Sequence, residues 1–175
     1  IETTDGTNKI EAAGGLIGNV RGNYSVEIQS CYADAEIKGI ASSGYAGGLV
    51  GWTGGATTID NSYAVVDMDA DKGYYIGGLV GSGNVTISHS YAAGEALTAG
   101  SNVAGISDNG SISSCVSIFP EMRSLNRIGG GTGRCQGNYG FAGTVARKSD
   151  GTILTPDPNM MGQTSNMERT QQRRN

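Results

Sequence analysis

The chain has 175 residues and a net charge of −4, and it contains 30 glycines but only three prolines. Glycine does not recur at every third position, so the composition excludes collagen and indicates many turns between short strands. A mildly acidic chain lacks the basic surface that nucleic-acid binding requires. No apolar run is long enough to span a membrane, so we expect neither a nucleic-acid partner nor a membrane span.

A six-residue motif recurs along the chain. It reads Ala-Gly-Gly-Leu-Ile-Gly at 13–18, Ala-Gly-Gly-Leu-Val-Gly at 46–51 and Ile-Gly-Gly-Leu-Val-Gly at 76–81, with weaker copies at 103–108 and 128–133. A second marker follows each copy and reads Ser-Cys-Tyr-Ala, Asn-Ser-Tyr-Ala and His-Ser-Tyr-Ala in the first three repeats. One such repeat cannot bury its apolar face alone, whereas stacked repeats can. The pattern predicts an all-β, right-handed parallel β-helix (β-solenoid) of about five coils.

The repeats shorten in steps of two residues. From the Leu-type to the Tyr-type position the separations are 16, 14, 12, 10 and 8 residues. Because strand side chains alternate with period two, each loss of two residues keeps the later residues on their own face. We therefore predict a tapering solenoid with two apolar structural columns inside: Leu16, Leu49, Leu79 and Ile106; and Ile28, Ile59, Ile87 and Ile112.

A tyrosine column has two interpretations. Tyr32, Tyr63, Tyr91 and Tyr139 either stack ring on ring in the core or form an exposed ladder while Ala33, Ala64 and Ala92 point inward. A polar corner precedes each tyrosine and prevents the alternation from being carried through. We favour the buried arrangement.

The Gly-Leu-x-Gly cores at 15–18, 48–51 and 78–81, each followed by the second marker, resemble GLUG-motif repeats. The resemblance covers about residues 10–145 and fades in the last two repeats. That family occurs in bacterial surface and secreted proteins, including adhesin-like proteins, and in accessory regions of immunoglobulin-A-cleaving metallopeptidases. The resemblance implies a β-helical repeat in an extracellular or cell-surface setting, and it implies no catalytic residues.

The C-terminal part has a different character. Residues 144–148 and 152–155 flank Ser-Asp-Gly, which is a hairpin signal, so we expect a β-hairpin that caps the narrow end. We divide the chain into a solenoid at 1–140, a hairpin cap at 141–161 and a polar tail or linker at 162–175. Residues 1–11 are too few for one coil, so we expect the wide end to be covered by more chain or by a partner.

One aromatic cluster is a candidate binding site. Trp52 follows the second glycine motif where the other repeats have polar residues, so we expect it to face solvent, close to Tyr45, Tyr74 and Tyr75. Such a cluster either stacks on a sugar or docks a protein, or simply covers a loop.

Acidic residues form a second column. Glu36, Asp67 and Glu95 each lie four residues after the column tyrosine, and Asp67, Asp69 and Asp71 alternate along one strand. We interpret them first as a solvated acidic face; a Ca²⁺ site is the alternative, and apart from Ca²⁺ we expect no cofactor.

The remaining chemistry-bearing residues indicate structure. His89, the only histidine, aligns with polar corner residues, and Cys31 and Cys115 share one column about three coils apart, too far for a disulfide. We therefore predict a non-catalytic binding or scaffold module of a bacterial surface protein, with other domains or subunits, a host protein or a glycan as partner. An accessory region of a larger secreted peptidase and a polysaccharide-degrading β-helix enzyme are the alternatives.

Overall fold

The computed structural model describes residues 10–70, 73–99, 101–129, 135–148 and 150–154. Their regular structure is entirely β. In chain order the strands are β1 (Ile10–Gly14), β2 (Ile17–Val20), β3 (Val26–Gln29), β4 (Tyr32–Lys38), β5 (Ile40–Gly47), β6 (Val50–Asp60), β7 (Tyr63–Ala70), β8 (Tyr75–Gly77), β9 (Val80–Ser88), β10 (Tyr91–Ala93), β11 (Ala96–Ala99), β12 (Asn102–Ala104), β13 (Ser111–Ser113), β14 (Val116–Ile118), β15 (Glu121–Met122), β16 (Cys135–Gln136), β17 (Tyr139–Gly140) and β18 (Val145–Ala146).

The strands form three parallel sheets, and each turn of the chain contributes to all three. The first sheet has the order β1-β5-β8-β12, the second runs from β2 and β3 through β6, β9 and β13 to β16, and the third holds β4, β7, β10, β11, β14, β15, β17 and β18. This architecture confirms the predicted β-solenoid. The described residues make about four turns rather than about five, because the two-residue strands β16 to β18 complete only part of the last coil.

The register confirms the taper. In the Ile column the paired positions are Ile28–Ile59, Ile59–Ile87, Ile87–Ile112 and Ile112–Cys135. The offset between partners therefore falls from 31 residues to 28, 25 and 23. Loops and bulges absorb the difference, as between Thr53 and Thr57, while the inward-facing residues keep their side of the sheet.

The predicted apolar columns form the core, with one exception. Leu49, Leu79 and Ile106 are fully buried, and so is nearly all of the Ile column. Leu16 is 44% exposed, which corrects its assignment as a core residue. It lies between β1 and β2, the end strands of their sheets, so among the described residues a coil stacks on only one side of it.

The polar corner has an unusual backbone. Its residues Ser30, Asn61, His89 and Ser114 have φ between 46° and 54°, and Gly137 continues the column at 62°. Non-glycine residues rarely adopt this left-handed conformation, and asparagine tolerates it best. The corner inserts a turn between Ile28 and Tyr32. An unbroken strand would point both side chains to the same face, but after the turn Ile28 points inward and Tyr32 outward.

That turn places the tyrosine column outside. Tyr32 is 64% exposed, Tyr91 39% and Tyr139 38%, whereas Ala33, Ala64 and Ala92 are buried. The preference for a buried tyrosine stack is therefore wrong, and the exposed ladder is correct. Tyr63 stacks on Tyr32 at 5.3 Å and on Tyr91 at 4.7 Å between ring centroids.

The residue between the corner and the tyrosine points inward and links successive coils. The backbone N–H of Cys31 donates to Ser62 Oγ at 3.1 Å, and that of Ser62 donates to Ser90 Oγ at 3.1 Å. Further along, Cys115 N–H donates to Asn138 Oδ1 at 2.8 Å. Ser62, Ser90 and Asn138 are polar because each accepts a backbone N–H from the coil before it.

The glycine pair lets two faces of the coil approach closely. A Cβ on Gly48 would overlap the carbonyl oxygen of Gly78 and the Cβ of Ala64. In the last coil the large and small residues exchange places. Arg127 lies next to Gly105, at the position of the glycine pair, and packs against Gly140. Gly140 follows Tyr139, where the earlier coils have alanine or serine.

The C-terminal turn has the predicted hairpin hydrogen bonds. Arg147 and Ile153 form an antiparallel bridge, Lys148 N–H donates to Thr152 O, and Leu154 N–H donates to Ala146 O. That this turn caps the narrow end stays a prediction. The predicted tail at 162–175 lies outside the described residues.

Candidate aromatic groove

The four predicted aromatic residues lie together on one surface. The ring centroid of Tyr45 is 5.6 Å from that of Tyr75, with 7° between the planes, and 6.0 Å from that of Trp52. Tyr74 packs its ring edge-on against Tyr75 at 4.6 Å. Tyr74 is exposed and the other three are partly buried, so Trp52 faces solvent only in part.

One ring face of Tyr45 is left open by the first coil. In its column Tyr45 pairs with Tyr75 on one side and with Ala12 on the other. Trp52 pairs with Asn19 on the same side. The first coil therefore places two small side chains where an aromatic rung would otherwise continue the stack.

The space above these two rings is an open groove. It encloses about 430 Å³, within the range of small-molecule sites, and its lining includes Ala12, Tyr45 and Trp52 together with Glu11, Asn19 and Arg21. Arg21 Nη2 lies 4.0 Å from Glu11 Oε2, and both side chains are about 80% exposed. An exposed pair at this distance is weak, so both groups can rotate toward a ligand.

The strand segment after Trp52 is fixed by buried hydrogen bonds. Thr53 Oγ1 donates to the carbonyl of Gly55 at 2.9 Å and lies 2.8 Å from Thr57 Oγ1. Gly54 lies beside the indole, and a Cβ there would come within 2.8 Å of Trp52 Cη2. Trp52 is thus held over a bulge whose sequence leaves room for its ring.

The sequence identified the aromatic side of this groove and missed its polar side. Glu11 lies two residues before the first glycine motif and Arg21 three residues after it, and neither carries a local signature. The usable signal was the column alignment, which already placed Asn19 beside Trp52. Extending it to Ala12 would have revealed the open face of Tyr45.

The described acidic residues form part of the predicted column. Glu36 pairs with Asp67 in the register, and Asp67 Oδ1 accepts the backbone N–H of Glu95 at 2.6 Å. Lys38 Nζ lies 2.5 Å from Glu36 Oε1, and this hydrogen bond lowers the pKa of Glu36. Among the described residues no group of three or more histidine, cysteine or acidic side chains is placed to hold a metal ion.

The arrangement therefore gives the Ca²⁺ prediction no support. Lys38 and Arg123 line the groove of about 490 Å³ that also holds Glu36, Asp67 and Asp69, so the protein supplies its own cations there. Asp69 accepts a weak hydrogen bond from Thr98 Oγ1 at 3.4 Å. Asp71 lies outside the described residues.

His89 belongs to a surface network at the corner. Its Nδ1 lies 2.9 Å from Asp60 Oδ1, which also accepts a hydrogen bond from Ser88 Oγ at 2.7 Å. The Ser88 hydroxyl and then His89 lower the pKa of Asp60. The three residues tie two adjacent coils together, in agreement with a structural role for His89.

The comparisons with known proteins found nothing similar: no protein-family model, no curated protein and no solved structure matches this chain. In the part of the chain that the structure describes, there is no helix of the length and apolarity that crossing a membrane would require.

Proposed function

We propose that this chain is a non-catalytic, extracellular binding or scaffold module of a bacterial surface protein. The solenoid holds a ligand-binding groove on a stiff rod and spaces it from other domains or subunits. The resemblance of the glycine motifs to GLUG-type repeats supports the extracellular setting. It also supports adhesion to a host protein or a glycan as the role of the groove.

One observation carries the binding part of this proposal. The rings of Tyr45 and Trp52 lie over small residues of the first coil, with charged and amide groups around them. Partly exposed aromatic rings beside a few polar groups are typical of recognition sites. Because the sheet register fixes both strands, the two rings lose little conformational entropy when a ligand binds.

An array experiment tests the proposal. The chain is displayed multivalently and applied to printed glycans and extracellular-matrix proteins, with the heat-unfolded chain as control. We expect the folded chain to be retained by a subset of the printed molecules. Retention of neither class above the unfolded control would overturn the proposal.

A further inference from the structure

We propose that the Tyr45–Trp52 groove binds one neutral pyranose ring of a glycan, which occupies the position of the missing aromatic rung. This inference names the ligand class of the site in the proposed function and therefore rests on it.

The stacking geometry favours a flat ring with an apolar face. Tyr75 covers one face of Tyr45 with its plane only 7° away, and on the opposite side Ala12 carries only a methyl group beside the open groove. Neighbouring coils lie about 4.8 Å apart, which is the space that one ring occupies in a stack. The C–H face of a pyranose fits there, and Trp52, tilted at 48° to Tyr45, closes the side.

The polar lining favours a neutral sugar over a charged one. Arg21 offers N–H donors, Glu11 offers a carboxylate that accepts, and the amide of Asn19 does both. Two neighbouring hydroxyls satisfy such a pair, one accepting from Arg21 and the other donating to Glu11. A sugar carboxylate would meet repulsion from Glu11, 4.0 Å from the only basic group among the described lining residues.

The centre of the tyrosine ladder on the third sheet does not offer the same site. The planes of Tyr32 and Tyr63 differ by 13°, those of Tyr63 and Tyr91 by 3°, and each ring covers the face of the next. The ladder therefore presents ring edges and hydroxyls at its centre, whereas Tyr45 presents a ring face.

Calorimetry on the full chain tests this assignment, with cellobiose and lactose as neutral probes and glucuronic acid as the charged probe. We expect a neutral disaccharide to bind more tightly than glucuronic acid. Ala12→Tyr should fill the open rung and abolish binding while the melting temperature holds or rises. Trp52→Ala should weaken binding about tenfold, the effect of one lost aromatic contact.

Two further variants sharpen the outcome. Glu11→Gln should raise the affinity for glucuronic acid, because it removes the repulsion. Tyr91→Ala, on the other sheet, should leave saccharide affinity unchanged. If folded Ala12→Tyr binds the saccharide as tightly as the original chain, the inference is wrong. If Ala12→Tyr does not fold, undiminished binding by Trp52→Ala overturns the inference instead.

The two proposals fail separately. If the array retains the chain on proteins and calorimetry detects no binding of either neutral disaccharide, the pyranose assignment is wrong and the binding module stands. If the array retains nothing, the proposed function itself is wrong.

Discussion

The ring of Tyr91 lies parallel to that of Tyr63 on the outside of the solenoid, with 4.7 Å between centroids and 3° between planes. This separation equals the spacing of adjacent strands, so the sheet register itself sets the ring stack. Register and stacking reinforce each other along the column, because a slip by one residue would turn every tyrosine inward.

The ladder predicts unequal effects of removing its members. Tyr63 contacts two rings and Tyr32 one, and each aromatic pair contributes about 0.5–1.5 kcal/mol beyond burial. Tyr63→Ala should therefore lower the free energy of unfolding by about 1–3 kcal/mol and Tyr32→Ala by about half as much. Urea unfolding measures both, with the exposed Tyr24→Ala as control. Equal losses at Tyr63 and Tyr32 would contradict the stacking account.

The interior polar column predicts a difference between two small substitutions. Ser62→Ala leaves the partly buried N–H of Cys31 without an acceptor and should cost about 1–2 kcal/mol of unfolding free energy. Ser62→Cys should cost less, because Cys115 fills this column with its thiol donating to Ser113 O at 3.2 Å. Thermal unfolding compares them with the exposed Thr58→Ala. An alanine variant as stable as the cysteine variant would contradict the acceptor role of Ser62.

The glycine column predicts intolerance to one methyl group. Gly48→Ala would place its Cβ against the Gly78 carbonyl and Ala64, so we expect a loss of about 2–3 kcal/mol from overpacking. Gly151→Ala serves as the control, because it has open space and only backbone strain at φ 84°. Chemical denaturation measures both variants. The prediction fails if Gly48→Ala is no more destabilising than Gly151→Ala.

The cysteines should differ in reactivity. Burial raises the pKa of Cys115 to about 11, whereas Cys31 is only partly buried. A raised pKa means less thiolate at pH 8, about a hundredfold less when the pKa rises from about 9 to about 11. The thiolate is the reactive species. Reaction with a coloured disulfide reagent should therefore modify Cys31 well before Cys115. In urea the difference in reactivity should vanish. If Cys115 in the folded chain reacted as fast as Cys31, the burial of Cys115 would be contradicted.

The repeat spacing was sufficient to predict the solenoid, its taper and the alignment of its columns. Leu49, Leu79 and the Ile column are buried. Each repeat loses two residues between the Leu-type and the Tyr-type position, so these side chains stay on the same face of their strands in every coil, and that face is the inner one. The motif did not predict the exposure of Leu16, because the burial of this side chain depends on whether another coil stacks on it and not on its own motif.

Backbone geometry at the corners could not be predicted from the pattern. Ser30 and His89 carry no signature of a positive φ, yet their left-handed turns decide which way Tyr32 and Tyr91 point. The aromatic half of the groove was predictable because Trp52 stands in a polar column. Its polar half depends on Glu11 in β1 and Arg21 after β2, whose side chains meet only when the first coil folds.

The fluorescence of Trp52 gives the most direct test of ligand binding in the groove, since the chain contains no other tryptophan. The folded chain is titrated with the ligand that the array retains most strongly, and the emission is followed to saturation. A ligand in the groove should shift and saturate the emission at the concentration that calorimetry gives. Binding that saturates by calorimetry with no change in Trp52 emission would contradict the account.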